Sequence, residues 1–420
     1  MDSLKKIWHH PLTKNFFVYS FGALFLKGIS FILLPLYTSL LSPEEYGVLD
    51  LLATFTNILD ISLSLGLISA LMIEYFHYTD QQRKKIFDTV ISIFLSLSLV
   101  LYVIVICIAV LFKEKLFTST PSLLILLSAL TAYLTFFQTF TITILKQREE
   151  ARRATILQVA SGIISISLNV LFVYGWSWGV SGIIWSSFIG VLLFSAYAFY
   201  FIIKELQFKF VFDRTQYTHF LKLGLPFVPS AVMLWLMTSA NRWILLNYTD
   251  LEQVGYYSVA FKFSSLFEPL IIAPFLSAYT PRVMKRFQTG DYTQELYKFL
   301  LRGIPAFIIM GFALQLLASW MIDEKFYPSL ILIPLLVFNA YFSLMAQVCA
   351  YILVYKKKIL GMLSAITGAA IIGVATNFLL VPAYGAIGSA IAYNLSGLTW
   401  LIWIYLLQRR ERLNLKPHGH

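Results

Sequence analysis

The sequence predicts an all-α integral membrane protein of about twelve transmembrane helices, arranged as two parallel six-helix halves. Three observations predict it. The 420 residues are 59% hydrophobic and only 13% charged, with a mean hydropathy of +0.76. An ordinary soluble domain carries about 25% charged residues, so lipid must be the solvent for much of this surface. Apolar runs of the length needed to cross a bilayer, about 20 residues, follow one another along the whole chain. The basic residues fall in alternate connections: 24 of the 32 Lys and Arg lie on one side of the predicted spans, and only Lys113, Lys115 and Lys325 on the other.

The elements follow in order. The first helix is predicted over 15–41, where the apolar run Phe16 to Leu41 is too long for a signal peptide and no small-residue cleavage site follows it. The next spans are 46–74, 87–112, 121–145, 153–174 and 179–203. The second half repeats the series at 218–247, 253–281, 297–320, 328–354, 359–381 and 386–407. The basic connections hold Arg83–Lys84–Lys85, then Lys146, Arg148, Arg152 and Arg153, then Lys204, Lys209 and Arg214. They continue with Arg282, Lys285, Arg286 and Lys298, then Lys356–Lys358, and end with Arg409, Arg410, Arg412 and Lys416. Positive loops face the cytoplasm, so both termini are expected there. This asymmetry accounts for the net charge of +11. A nucleic-acid partner is not expected, because such a surface needs one continuous basic face. Every connection is short, which leaves no room for a catalytic domain outside the membrane. Cys107 and Cys349 lie in apolar runs, and none of the six histidines has ligand spacing, so neither metal nor cofactor is expected.

An internal repeat divides the chain. Asn169 to Gly182 reads N-V-L-F-V-Y-G-W-S-W-G-V-S-G, and Asn377 to Gly388 reads N-F-L-L-V-P-A-Y-G-A-I-G. Both set an Asn, an apolar stretch and G-x-x-G at a turn between two spans. A second echo pairs Glu44-Glu45-Tyr46-Gly47 with Glu252-Gln253-Val254-Gly255. The offset is 206–208 residues. Each half runs in the same order through the membrane, so the repeat is parallel, with its axis along the membrane normal. The expected boundaries are 1–210 for the first six-helix lobe and 211–420 for the second.

The twelve-helix layout, the paired G-x-x-G units and the segment Phe31-Ile32-Leu33-Leu34-Pro35-Leu36-Tyr37-Thr38-Ser39-Leu40-Leu41-Ser42-Pro43-Glu44-Glu45-Tyr46-Gly47 resemble the lipid-linked oligosaccharide flippases. This is the Wzx-type polysaccharide biosynthesis branch of the multidrug/oligosaccharidyl-lipid/polysaccharide (MOP) exporters. The resemblance covers essentially the whole chain. It implies a MATE-like fold of two lobes with alternating access, in the bacterial cytoplasmic membrane. It implies an undecaprenyl-diphosphate-linked glycan repeat unit, such as that of an O-antigen, as substrate. It also implies membrane lipids, polysaccharide polymerase and chain-length machinery as partners.

Charges inside a bilayer are costly and mark functional candidates. Lys27 sits near the middle of the first span on a stripe of Ser20, Ala23 and Ser30. The second span carries Asp50, Ala53, Asn57, Asp60 and Ser64 on one helical face, and the eighth carries Ser258, Phe261, Ser265 and Glu268. The 208-residue offset sets Asp60 on Glu268, Asn57 on Ser265 and Asp50 on Ser258. Arg242 lies roughly 9 Å inside the outer end of the seventh span, with Lys262 at similar depth in the eighth. Lys27, Arg242 and Lys262 are candidates for a cationic cavity, because a diphosphate is bound by charge-assisted hydrogen bonds. They can equally pair with Asp50, Asp60 or Glu268 to hold helices together. Those three acids are candidates for ion coupling or for counter-ions. Asn57, Gln138 and Gln347 are candidate sugar contacts, and the two glutamines serve as well for bonds between helices.

Prolines add kinks: Pro35 in the first span, Pro226 and Pro229 in the seventh, and Pro269 and Pro274 in the eighth. Kinked helices at equivalent places in two halves suit rocking between two states. No G-x-x-x-x-G-K-[ST] signature is present, so an ion gradient, or consumption of product outside, would supply the energy. A cation-coupled drug antiporter of the same superfamily is the alternative, and it would want an acidic cavity. A membrane polysaccharide polymerase fits less well, since the outer connections are short turns.

Overall fold

The computed structural model describes residue 28 and residues 31–118, 120–286 and 293–413. Every regular element among them is helical. In chain order the longer ones are α1 (Leu34–Leu40), α2 (Pro43–Ser64) and α3 (Leu67–Glu74), then α4 (Gln82–Leu111), α5 (Ser122–Gln147), α6 (Ala151–Gly175) and α7 (Gly179–Glu205). There follow α8 (Arg214–Thr238), α9 (Ala240–Tyr248), α10 (Leu251–Lys285), α11 (Thr293–Met321), α12 (Leu332–Tyr355) and α13 (Ile359–Leu413). Among the described residues, ten helices are long and apolar enough to cross a membrane. This is a multi-pass membrane protein.

The last apolar stretch, Ile359–Glu411, has 53 residues. At 1.5 Å per residue that is about 80 Å, more than twice the hydrocarbon core. It holds two spans. Gly385 breaks it with φ 53° and ψ −133°, a backbone that favours glycine, and Gln253 Oε1 accepts from the Ala386 N–H at 3.3 Å. The halves then run antiparallel: Gly361 lies 3.4 Å, measured from an ideal Cβ, from Leu407 Cδ1, and Gly368 meets Trp403 and Gly373 meets Ser396. Each pair sums to nearly the same number, as a hairpin turning near 385 requires. The predicted helices 359–381 and 386–407 are these two arms.

The chain forms two compact units. One comprises Leu51–Val232 with the described residues before Leu34. Its core is aromatic: Phe94 of α4 stacks on Phe136 of α5 at 3.6 Å between centroids and meets Phe137 edge-on at 5.3 Å. The hairpin of α6 and α7 closes on small residues, with Gly190 against Ser165. By the repeat, Ser165 corresponds to Gly373 and Gly190 to Ser396. The glycine–serine contact is therefore kept in both hairpins, with the two residues exchanged between arms.

One turn in this unit departs from the predicted continuous helices. The predicted span 46–74 is broken at Leu65 and Gly66, which have φ of 49° and 67°. The cause is a close approach: an added methyl at Gly66 would strike the Gly224 carbonyl, and one at Gly224 would crowd Leu65 and Gly66. Beyond this crossing, Glu74 Oε1 and His219 Nε2 lie 3.1 Å apart. The connection between α7 and α8 runs extended along α4, where the Lys209 N–H donates to Asp88 at 3.1 Å and the Val211 N–H to Ser92 Oγ at 3.0 Å. A segment without secondary structure leaves backbone groups unpaired, and the two α4 side chains satisfy the N–H groups of Lys209 and Val211.

The other unit comprises Leu34–Asp50 and Met233 onward. Its centre is α12 packed on α13, with Val348, Cys349, Ala369 and Ala390 all buried. In α10 a wider turn over Glu268–Ile272 includes Pro269, whose missing N–H removes one helical bond. The predicted helix 218–247 is interrupted at Ser239, which separates α8 from α9.

Candidate functional site

The strongest polar constellation in the second unit grows from the starts of α2 and α10. Ser42 caps α2 in a reciprocal box: its N–H donates to Glu45 Oε2 at 2.9 Å, and the Glu45 N–H donates to Ser42 Oγ at 3.2 Å. Asp250 caps α10 by accepting from the Gln253 N–H at 2.9 Å. Ser42 and Asp250 are separated by the repeat offset of 208. The two helices then cross at glycine. A methyl on Gly47 would collide with the Leu251 carbonyl, and one on Gly255 with the Pro43 carbonyl. Pro43 and Leu251 are again 208 apart. The contact is thus reciprocal, as at a twofold axis: each helix offers its glycine to the other's first turn.

One turn further in, the symmetry is occupied by unlike residues. Asp50 Oδ2 accepts from Ser258 Oγ, its repeat partner, at 2.8 Å. The same oxygen accepts from Arg242 Nε at 2.7 Å. Arg242 Nη1 also donates to the Thr238 carbonyl. Because α8 ends at Thr238, its last carbonyls lack helical partners, and a cation is favourable at such an end. The break at Ser239 and the arginine one turn later thus belong together. The guanidinium carbon lies 4.1 Å from the Phe261 ring centroid and 5.2 Å from that of Tyr257. Its side chain is 3% exposed, against 20% for Asp50. Arg242 is therefore enclosed by a carboxylate, a carbonyl and two aromatic faces.

Beside it lies a buried amide chain. Asn241 Nδ2 donates to Tyr257 Oη at 2.8 Å, and Asn377 Nδ2 donates to Asn241 Oδ1 at 3.1 Å and to the Gly373 carbonyl at 2.8 Å. Asn377 was legible only as a marker of the repeat, and Asn241 and Tyr257 were not singled out. The available signal was an amide next to an arginine inside an apolar run.

The structure brings Arg242 and Asp50 into one ion pair. Lys262 and Glu268 lie exposed on α10. On α2, Asn57 is exposed and Asp60 half-buried. Gln138 donates to the Val191 carbonyl at 3.1 Å, a bond between α5 and α7. Gln347 is half-buried on α12. Lys27 lies outside the described residues.

Known proteins give the fold a context. The chain superposes on the lipid II flippase MurJ in an inward closed conformation with a TM-score of 0.73 at 18% identity, over 94% of this chain and 89% of that one. It superposes on an inward-facing multidrug resistance MATE transporter of the MOP superfamily with a TM-score of 0.67 at 18% identity, over 94% and 96%. A MOP superfamily transporter from Pyrococcus furiosus gives 0.54 at 16% identity, over 95% and 96%. At these identities the likeness establishes the fold, which is MATE- and MurJ-like. No protein of curated function matches the chain. The model of the polysaccharide biosynthesis protein family matches residues 12–287, well over half of the 420 residues, and the chain belongs to that family.

Proposed function

We propose that this protein is a flippase that carries undecaprenyl-diphosphate-linked oligosaccharide repeat units from the inner to the outer leaflet of a bacterial cytoplasmic membrane. The observation that carries the proposal is the conjunction of a polysaccharide biosynthesis family match with the fold of a lipid flippase over 94% of the chain. The physical task fits that conjunction. A diphosphate and its sugars crossing hydrocarbon unaided would meet a barrier on the order of tens of kcal/mol. A polar path through a helical protein, with the lipid tail left in the bilayer, removes most of it. The work is transport, with no bond made or broken.

The enclosed state of Arg242 supports a division of labour among the basic residues. Lys262, exposed on α10, and Lys27 are assigned to the diphosphate. Arg242, held by Asp50, is assigned to closing one end of the path, where α2 and α10 cross. In the opposite state of an alternating-access cycle this crossing separates, and Arg242 then becomes available to the diphosphate. Asp60 and Glu268, at equivalent places in the repeat, are assigned to coupling with an ion gradient.

The test is made in cells depleted of the protein. Lipid-linked oligosaccharides are extracted, and their leaflet is read with a glycan-cleaving enzyme confined to the outside of spheroplasts. Accumulation of an intact glycan-diphospholipid shielded from the enzyme, reversed when the protein is restored, is the expected result. Absence of accumulation, with sensitivity to cationic drugs instead, would replace the proposal with a multidrug antiporter. An accumulating repeat unit already exposed outside would point to a polymerase.

A further inference from the structure

We infer that the α13 hairpin carries a binding groove for an anionic phospholipid of the leaflet at its basic end. The groove is lined by Thr399, Ile402, Trp403, Leu406, Leu407 and Arg410 and has a volume of about 390 Å³. Its shape comes from glycine. A methyl at Gly368 would strike the Trp403 ring, so the indole lies down on the opposing backbone. Gly361 leaves Leu407 Cδ1 at 3.4 Å from where a Cβ would stand. The walls stay open to lipid: Leu406 is 55% exposed and Ile402 49%.

Length and charge select the occupant. From Thr399 to Arg410 the helix rises about 16 Å, half the roughly 30 Å hydrocarbon core. The groove therefore spans one leaflet, from the headgroup layer to the midplane, as a single acyl chain does. Arg410 stands exposed at its headgroup end beside exposed Arg409. The neighbouring acid is already engaged, with Glu411 bonded to Lys356 at 3.2 Å and 3.7 Å from Lys358 Nζ. Five basic residues, Lys356–Lys358, Arg409 and Arg410, thus face one carboxylate at this end. A basic pocket between spans selects headgroups of net negative charge, and the positive charge of Arg410 at the groove's end adds to that selection. The inference needs only a membrane-spanning hairpin and stands apart from the transport proposal.

The full-length protein in phosphatidylcholine nanodiscs tests it. Brominated phosphatidylglycerol or brominated phosphatidylcholine is added at equal low mole fraction, and quenching of Trp403 is read as the difference between the native chain and Trp403→Phe. The expected result is quenching by the anionic lipid at about fivefold lower mole fraction, lost in Arg410→Gln and kept in Arg410→Lys. Equal quenching by both lipids in the native chain, or a preference that survives Arg410→Gln, would overturn the inference. Displacement of the brominated phosphatidylglycerol by an equal fraction of undecaprenyl phosphate, and not by phosphatidylglycerol, would overturn it in favour of the polyprenyl carrier.

Discussion

Arg242 sits where a charge is most costly and best compensated. Removing one partner of a buried ion pair leaves the other charge without compensation, which typically costs about 3–5 kcal/mol. Arg242→Ala should therefore lower thermal stability in detergent markedly, because Asp50 is left with Ser258 alone. Arg242→Gln combined with Asp50→Asn should recover much of that loss, since neither charge remains. Lys262→Ala should behave oppositely, leaving the melting temperature almost unchanged while impairing transport. A Lys262→Ala protein with normal transport at normal abundance would remove that lysine from the proposed diphosphate site. The sequence marked Arg242 and all three acids because a charge in an apolar run is visible without a structure. It left open which acid Arg242 meets, since that depends on how α2 is rotated about its axis. The bond from Arg242 to Thr238 was hidden for a related reason: nothing in the apolar run from 227 to 238 announces that the helix stops there.

At the scale of the helix, the reciprocal glycine crossing of α2 and α10 is the feature with consequences. Gly47 and Gly255 each admit the other helix's first turn, and a methyl at either place meets a backbone carbonyl that has no side-chain freedom to yield. Gly47→Ala and Gly255→Ala should each destabilise the protein, within the range of about 1–3 kcal/mol usual for overpacking. The double variant should lose less than the sum of the two, because both substitutions open one shared contact. Strict additivity in thermal unfolding would show that the two glycines act at separate places. The elements themselves were largely readable, since apolar length and basic loops delimit spans well. The turn at Gly385 was readable too, since glycine in a repeated G-x-x-G marks it. The break at Leu65 and Gly66 was not, because the run through it is continuously apolar. It exists because Gly224, distant in sequence, approaches there.

For the whole molecule, the repeat was legible because two echoes shared one offset, and the structure repeats that offset in caps, crossings and hairpins. The substrate was readable only through resemblance, since no short motif binds a glycan in the way a P-loop binds a nucleotide. Energy coupling belongs to this scale as well. With an ion gradient as the driving force, collapsing it with an ionophore should stop new lipid-linked oligosaccharide from reaching the outer face of spheroplasts. Continued exposure under the ionophore would instead assign the drive to consumption of product outside.

The bond between Asp50 and Arg242 joins residues 192 positions apart, and this sets a schedule for biosynthesis. Translation proceeds at about 5–20 residues per second, so Asp50 emerges from the ribosome roughly 10–40 s before its partner. During that interval the carboxylate of a half-made chain has to wait in the headgroup layer or in the insertion machinery. The second half of the protein is then what draws α2 into its final place.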